Sequence, residues 1–211
     1  MMSNIDKMIT QYNTRKNMYE QYTTYLESLL TALIEESDIH YHTISGRTKS
    51  ERSLYEKLKK GTHKYKTLDD ITDIVGVRIV THFASDVSEI AELIEREFQI
   101  DRENSVDKRK QMEVNQFGYM SLHYVAELDP KGLDSDEYDD VTGVKAEIQI
   151  CSILQHAWAE IEHDFGYKVE KQVPWEVRRA FSRIASLLET ADLEFDRIRN
   201  RMKEDVKNED E

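Results

Sequence analysis

The chain has 211 residues, 39% of them hydrophobic, with only 7 Gly and 2 Pro, which fits one globular and mainly helical domain able to bury roughly 70% of its unfolded surface. A formal charge of −13 excludes a general nucleic-acid coat, which needs clustered Lys and Arg, although Lys57, Lys59, Lys60, Lys64 and Lys66 form one local run without an acid. The lone Cys151 excludes an internal disulfide framework, and no stretch approaches the ~18 apolar residues of a membrane span.

The opening MMSNIDKMITQYN has no signal-peptide core, so a cytoplasmic location without a membrane partner is expected. From Ile5 to about Glu36, Met8, Tyr12, Tyr19, Tyr22, Leu26, Leu29 and Leu33 recur at helical spacing and predict a long amphipathic helix. After His40-Tyr41-His42 a turn is expected at Ser45-Gly46, then a helix from Ser50 to Lys60 that stops at Gly61. Leu68 to Asp73 reads as one helical turn. Ile74-Val75-Gly76-Val77-Arg78-Ile79-Val80 is short, bounded and β-branched, hence a central strand. A helix over Asp86 to Glu97 and a strand near Phe98 to Arg102 follow. The polar stretch Ser105 to Gly118 reads as a mobile loop. Tyr119 to Leu128 and Val144 to Ile150 read as antiparallel strands joined by a solvated acidic loop over Asp134 to Asp140. Helices over Ser152 to Phe165 and Pro174 to Lys203 close the chain. This order predicts an α+β domain with helices packed on a mostly antiparallel sheet.

Five groups of residues carry chemistry. Arg78 interrupts an apolar strand, where a guanidinium is costly unless it is held in an internal Arg–Asp pair or stacked on a ligand. Asp73 and Glu147 stand near strand starts, either as an oxygen site for Mg²⁺ or as solvated edge carboxylates. Lys145, Glu147 and Gln149 share one strand face, while Ala146, Ile148 and Ile150 take the other. Arg47 and Lys49 precede a helix that presents Ser53, Lys57 and Lys60 on one side: donors for a polyphosphate, or a merely solvated basic face. No Gly-rich phosphate loop is present, which removes a Walker-type site. Phe117-Gly118-Tyr119-Met120-Ser121-Leu122-His123 offers either a stacking platform for a base or a core tyrosine. His156, Glu160, Glu162 and His163 fit no standard zinc spacing, and the single His163-Asp164 pair lacks the other ligands of a hydrolase centre. Cys151, in an apolar run, reads as an inert buried thiol.

Identity and order add what the single signals lack. GRTKSERSLYEKL, DDITDIVGVRIV, FGYMSLHYV and AEIQI followed by QHAWAEIEHDFGYK resemble, from about Ser45 to Lys168, the RelA/SpoT synthetase domain. The 211 residues show no resemblance to that family's hydrolase or regulatory domains, so a small, stand-alone alarmone synthetase is expected. Residues 1–40 would be an N-terminal amphipathic helix, 41–170 the synthetase core, and 171–211 a C-terminal helix and acidic tail, in one domain. The resemblance implies a nucleotidyltransferase-like mixed β-sheet flanked by helices. It also implies transfer of the β,γ-pyrophosphate of ATP to the 3′-hydroxyl of GDP or GTP, giving (p)ppGpp and AMP. Arg47 and Arg78 would sandwich the adenine, with Lys49, Ser53, Lys57 and Lys60 on the phosphates. Asp73 would hold Mg²⁺ and Glu147 would hold it or prepare the acceptor hydroxyl, making them, with Arg78, the catalytic set. Tyr119 would stack on the acceptor base, with His123, Gln149, His156, Glu162 and His163 lining that side.

Two departures from the family pattern are Cys151, where an Arg is frequent, and Asn115-Gln116-Phe117, where a Lys is frequent. QHAWAEIEHDFGYK and Trp175-x-x-Arg178-Arg179-x-Phe181-Ser182-Arg183-Ile184 resemble toxin-type members. Three readings therefore stand: a guanosine alarmone synthetase, a toxin-type enzyme acting on the tRNA 3′ end or adenosine nucleotides beside an antitoxin protein, and a nucleotide-binding regulator without turnover. The long first and last helices carry apolar stripes that need a cover, so a homo-oligomer is expected.

Overall fold

Ser3 starts the first helix, α1 (Asn4–Glu36), through a capping box: its hydroxyl accepts from Asp6 N–H while the Asp6 carboxylate takes the Ser3 N–H. The computed structural model describes residues 3–61, 64–113, 116–128, 141, 143–168 and 173–209. Along α1 the buried stripe is Met8, Tyr12, Tyr19, Tyr22, Leu26, Leu30 and Ile34. Its last turns are rotated by one residue from the expected Leu29 and Leu33, which stay half-buried.

The next element departs from the sequence reading. Tyr41–Thr48 is a strand, β1, not a turn at Ser45-Gly46. It pairs antiparallel with β2 (Val75–Thr81), with Gly46 opposite Val77. Gly46 serves close approach rather than a turn: its N–H donates to Glu27 Oε2 at 2.7 Å, and a Cβ there would lie 2.8 Å from Thr23 Cγ2. Ser50 then caps α2 (Glu51–Lys60), accepting from Ser53 N–H, and Gly61 ends it. A short 3₁₀ turn, Leu68–Asp70, leads into β2.

After β2 come α3 (Asp86–Glu97), which matches the expected span, and β3 (Phe98–Ile100). The polar stretch read as a loop is partly ordered: β4 (Val106–Asp107) pairs with the next strand and α4 (Lys108–Gln111) follows it. Asp107 drives this local order, accepting from Arg109 N–H and Nε at 3.1 and 2.9 Å. The remaining elements are β5 (Leu122–Leu128), β6 (Ala146–Ser152), α5 (Ile153–Lys168) and α6 (Trp175–Glu209). The acidic connection Asp134 to Asp140, and Asn115, lie outside the described residues.

The sheet order is β1-β2-β6-β5-β3, with β4 also on β5. β2 and β6 run parallel while the other pairs are antiparallel, so the fold is α+β with a mixed sheet flanked by helices, the long terminal helices included. Alternation sends Val75, Val77, Ile79, Ala146, Ile148 and Ile150 into the core with the stripes of α1 and α3. The opposite face carries the polar residues, and α5 folds back over it.

α6 is tied to the body at both ends. Trp158 Nε1 donates to Phe181 O at 3.2 Å, and Arg199 bonds Asp86 and Ser85 while lying 4.3 Å from the Phe83 ring centroid. Its outer face leaves Ile184, Leu187, Phe195, Ile198 and Met202 exposed. Among the described residues no helix is long and apolar enough to cross a membrane.

Candidate active site

Two rows of residues cross the sheet. Arg47, Gly76 and Glu147 are neighbours in one, and Ser45, Arg78, Gln149 and His123 in the next. Positions two apart on a strand share a face, so both rows look into one cleft of about 470 Å³. Tyr119, Asp73, Glu162 and His163 also line it. Residues scattered from position 45 to 163 thus meet because β6 inserts between β2 and β5.

Asp73 stands just before β2, where two lysines converge on its Oδ2: Lys49 Nζ at 3.0 Å and Lys57 Nζ at 2.8 Å. Lys49 is itself placed by backbone bonds, its N–H donating to Ile74 O at 2.7 Å and its carbonyl accepting from Tyr12 OH at 2.6 Å. Burial penalises ionised Asp73, yet Lys57 and Lys49 outweigh it and hold the carboxyl below its usual range. Oδ1 is buried without a hydrogen-bond partner. Ser53, Lys57 and Lys60 line an adjoining recess with Tyr65, so the basic face of α2 continues the cleft from Asp73 outward.

Glu147 lies 2.6 Å from His123 Nδ1, whose Nε2 is 2.7 Å from Ser121 Oγ. The His123 bond lowers the Glu147 pKa, with burial and nearby Asp73 opposing it. These two carboxylates suit Mg²⁺, which takes one or two such ligands with phosphate oxygens and water. The fit rests on Asp73 Oδ1, an anionic oxygen that a cation would satisfy. Among the described residues no cluster of three or more His, Cys, Asp or Glu forms a closed metal site.

Arg78 does pair with an acid, but with Glu160 rather than an Asp. It donates to Glu160 Oε1 at 2.6 Å and Gln149 Oε1 at 3.0 Å, with His156 Nδ1 3.4 Å away. His156, expected on the acceptor side, thus joins Arg78, and burial with that positive charge keeps its pKa low. Gln149 Nε2 donates on to Tyr119 OH at 2.8 Å, so Arg78 and Tyr119 are linked across the cleft.

Tyr119 stacks on Trp158, with centroids 6.1 Å apart and planes 8° from parallel, and Lys108 Nζ lies 5.1 Å from its ring centroid. Neither partner stood out in the sequence. A tryptophan in a helix reads as core, and Lys108 belonged to a stretch with no predicted structure. Glu160 was noted only as part of a failed metal spacing. Cys151 is buried, and burial pushes its thiol pKa up, as expected of an inert thiol.

The family described as "Region found in RelA / SpoT proteins" matches residues 46–172. GTP pyrophosphokinase YjbM of Bacillus subtilis is 27% identical over 180 residues, spanning 83% of this chain and 81% of that protein. The small alarmone synthetase 1 structure from Bacillus subtilis superposes with a TM-score of 0.76 at 24% identity, over 92% of this chain and 98% of that one. The same synthetase bound to its product pppGpp gives a TM-score of 0.73 at 25% identity, over 90% and 97%. The matched region runs from the last residues of β1 past the end of α5 and so contains Asp73, Glu147, Lys49, Lys57 and Tyr119. With more than half its length in that match, the chain belongs to the RelA/SpoT family.

Proposed function

We propose that this chain is a transferase of the GTP pyrophosphokinase type, moving the β,γ-pyrophosphate of ATP to the 3′-hydroxyl of GDP or GTP. The observation that carries this reading is the pair Asp73, just before β2, and Glu147, on the adjacent strand β6, between the lysines of α2 and the Tyr119 platform. A relative named GTP pyrophosphokinase and a solved relative bound to pppGpp support a guanosine acceptor.

Arg47 faces Gly76 across the strand pair and Arg78 follows Gly76 by two residues, so both arginines line the cleft beside a residue without a side chain. Hydrogen bonds to Arg78 lie in the guanidinium plane and leave its faces open to the adenine. Lys49, Ser53, Lys57 and Lys60 receive the phosphates in place of Asp73 and solvent. Asp73 and Glu147 would hold Mg²⁺, which when bound would offset charge growing on the α-phosphate. Tyr119 receives the acceptor base, and Lys108 adds positive charge beside it. Glu147 accepts a hydrogen bond from the 3′-hydroxyl and draws off its proton. The O3′–Pβ bond forms as the bond from Pβ to the α–β bridging oxygen breaks, and that oxygen leaves with AMP.

The test is γ-labelled ATP incubated in turn with GDP, GTP, AMP, ADP, ATP and bulk tRNA. Label on GDP or GTP with matching release of AMP is the expected result. Asp73→Asn and Glu147→Gln are each expected to lower turnover per folded molecule at least roughly 10³-fold. A tenth of wild-type activity in both variants removes the carboxylate assignment. Label on tRNA alone moves the acceptor to its 3′ end, and label on an adenosine nucleotide alone makes that the acceptor.

A further inference from the structure

The segment approaching β5 carries Tyr119, and side chains outside the cleft hold its backbone from behind. Met120 N–H donates to Gln155 Oε1 at 3.1 Å. Gln155 Nε2 donates in turn to Asp192 Oδ2 at 3.3 Å, and that oxygen also accepts from Ser152 Oγ at 2.9 Å. Ser152 Oγ accepts from Gln155 N–H at 3.2 Å, which closes a ring at the start of α5. Gln155 and Asp192 are each only 3% exposed.

A buried amide has two ends of similar shape and opposite polarity. Here the carboxylate takes the NH₂ end, so the carbonyl end must face Met120. An apolar pair would fill the same space without desolvating a carboxylate, so a buried polar relay of this kind specifies one arrangement rather than adding stability. What it specifies is one peptide N–H, adjacent to Tyr119. The same helices hold the rest of the segment, since Trp158 stacks on Tyr119 and Ser182 Oγ donates to Phe117 O at 3.2 Å.

We propose that Gln155, oriented by Asp192, is a positioning residue for the acceptor site, fixing the backbone that presents the Tyr119 ring. This rests on the reading of Tyr119 as the acceptor platform.

Gln155→Met conserves volume and removes both side-chain bonds. It is expected to raise the acceptor KM about five- to tenfold, the loss of one hydrogen bond, with the ATP KM within about twofold of wild type. The Met120 amide is expected to exchange at least about tenfold faster by NMR while β6 amides keep their protection. Gln155→Glu sets two carboxylates together and is expected to be impaired. The double variant Gln155→Glu/Asp192→Asn reverses donor and acceptor, keeps an oxygen for Met120, and is expected to recover the acceptor KM. Equal rises in both KM values, an unchanged acceptor KM, or failure of the double variant to recover would overturn the proposal. Should Gln155→Met fail to fold, the comparison of Gln155→Glu with the double variant decides. If wild type labels no acceptor, the pyrophosphokinase reading falls. Met120 exchange then decides alone, faster exchange in Gln155→Met supporting the positioning role and unchanged exchange refuting it.

Discussion

Asp73 is the counter-charge for two lysines, one of them only 10% exposed at its side chain. Removing one partner of a buried pair leaves the other charge uncompensated, and that is where large destabilisation arises. Asp73→Asn is therefore expected to cost about 2–4 kcal/mol in urea unfolding. Glu147→Gln keeps a side-chain oxygen for His123 and is expected to cost less than about 1 kcal/mol. The opposite order would show that the lysines do not depend on Asp73. Lys49, Lys57 and Asp73 were each legible in the sequence as candidates for phosphate or metal chemistry. Their mutual pairing was not, because it joins a strand end, a helix face and a loop, and separation along the chain holds no record of such contacts. Arg78 shows the same limit: the need for a partner could be read, but not that Glu160 and Gln149 would provide it.

Among the elements, those with local signals were readable. Ser50 and Gly61 mark α2, and the β-branched run marks β2. β1 was missed because its half-buried, polar sequence has little alternation and its Ser-Gly pair has the chemistry of a turn. Gly46 is present for a non-local reason, the approach of α1 to the sheet. Gly46→Ala forces its Cβ to 2.6 Å from Glu27 Oε2 and 3.2 Å from the Thr23 carbonyl. The Glu27 carboxylate can swing away, but the Thr23 backbone cannot. A loss of about 1–3 kcal/mol is expected by chemical denaturation. A loss below a few tenths would mean that α1 is free to retreat. β4 and α4 escaped notice for a related reason, since pairing with His123 and Leu122 orders them and nothing within Ser105 to Gly118 announces it.

At the scale of the molecule, Arg199 ties α6 to the loop after β2 and to the start of α3. Asp86 is 3% exposed, and its carboxylate is held by that guanidinium. Arg199→Leu strands the carboxylate and is expected to destabilise by about 3–5 kcal/mol. The double variant Arg199→Leu/Asp86→Leu is expected to fall well short of the sum of the singles in a double-mutant cycle. Strict additivity would place the anchor elsewhere on α6. Neither partner was conspicuous in the sequence, where Asp86 reads as an ordinary first-turn acid and Arg199 as part of a charged helix tail.

The parallel pairing of β2 with β6 also sets a timetable. A ribosome adding about 5–20 residues per second needs roughly 4–14 s for the roughly 70 residues between the ends of these strands. Throughout that interval the nascent chain already carries Arg47, Lys49, Lys57, Asp73 and Arg78, while one edge of β2 has no neighbour. Glu147 and Gln149 arrive with the strand that closes that edge. The residues proposed for the nucleotide are thus synthesised in two instalments, and the cleft they line is complete only once β6 has been translated.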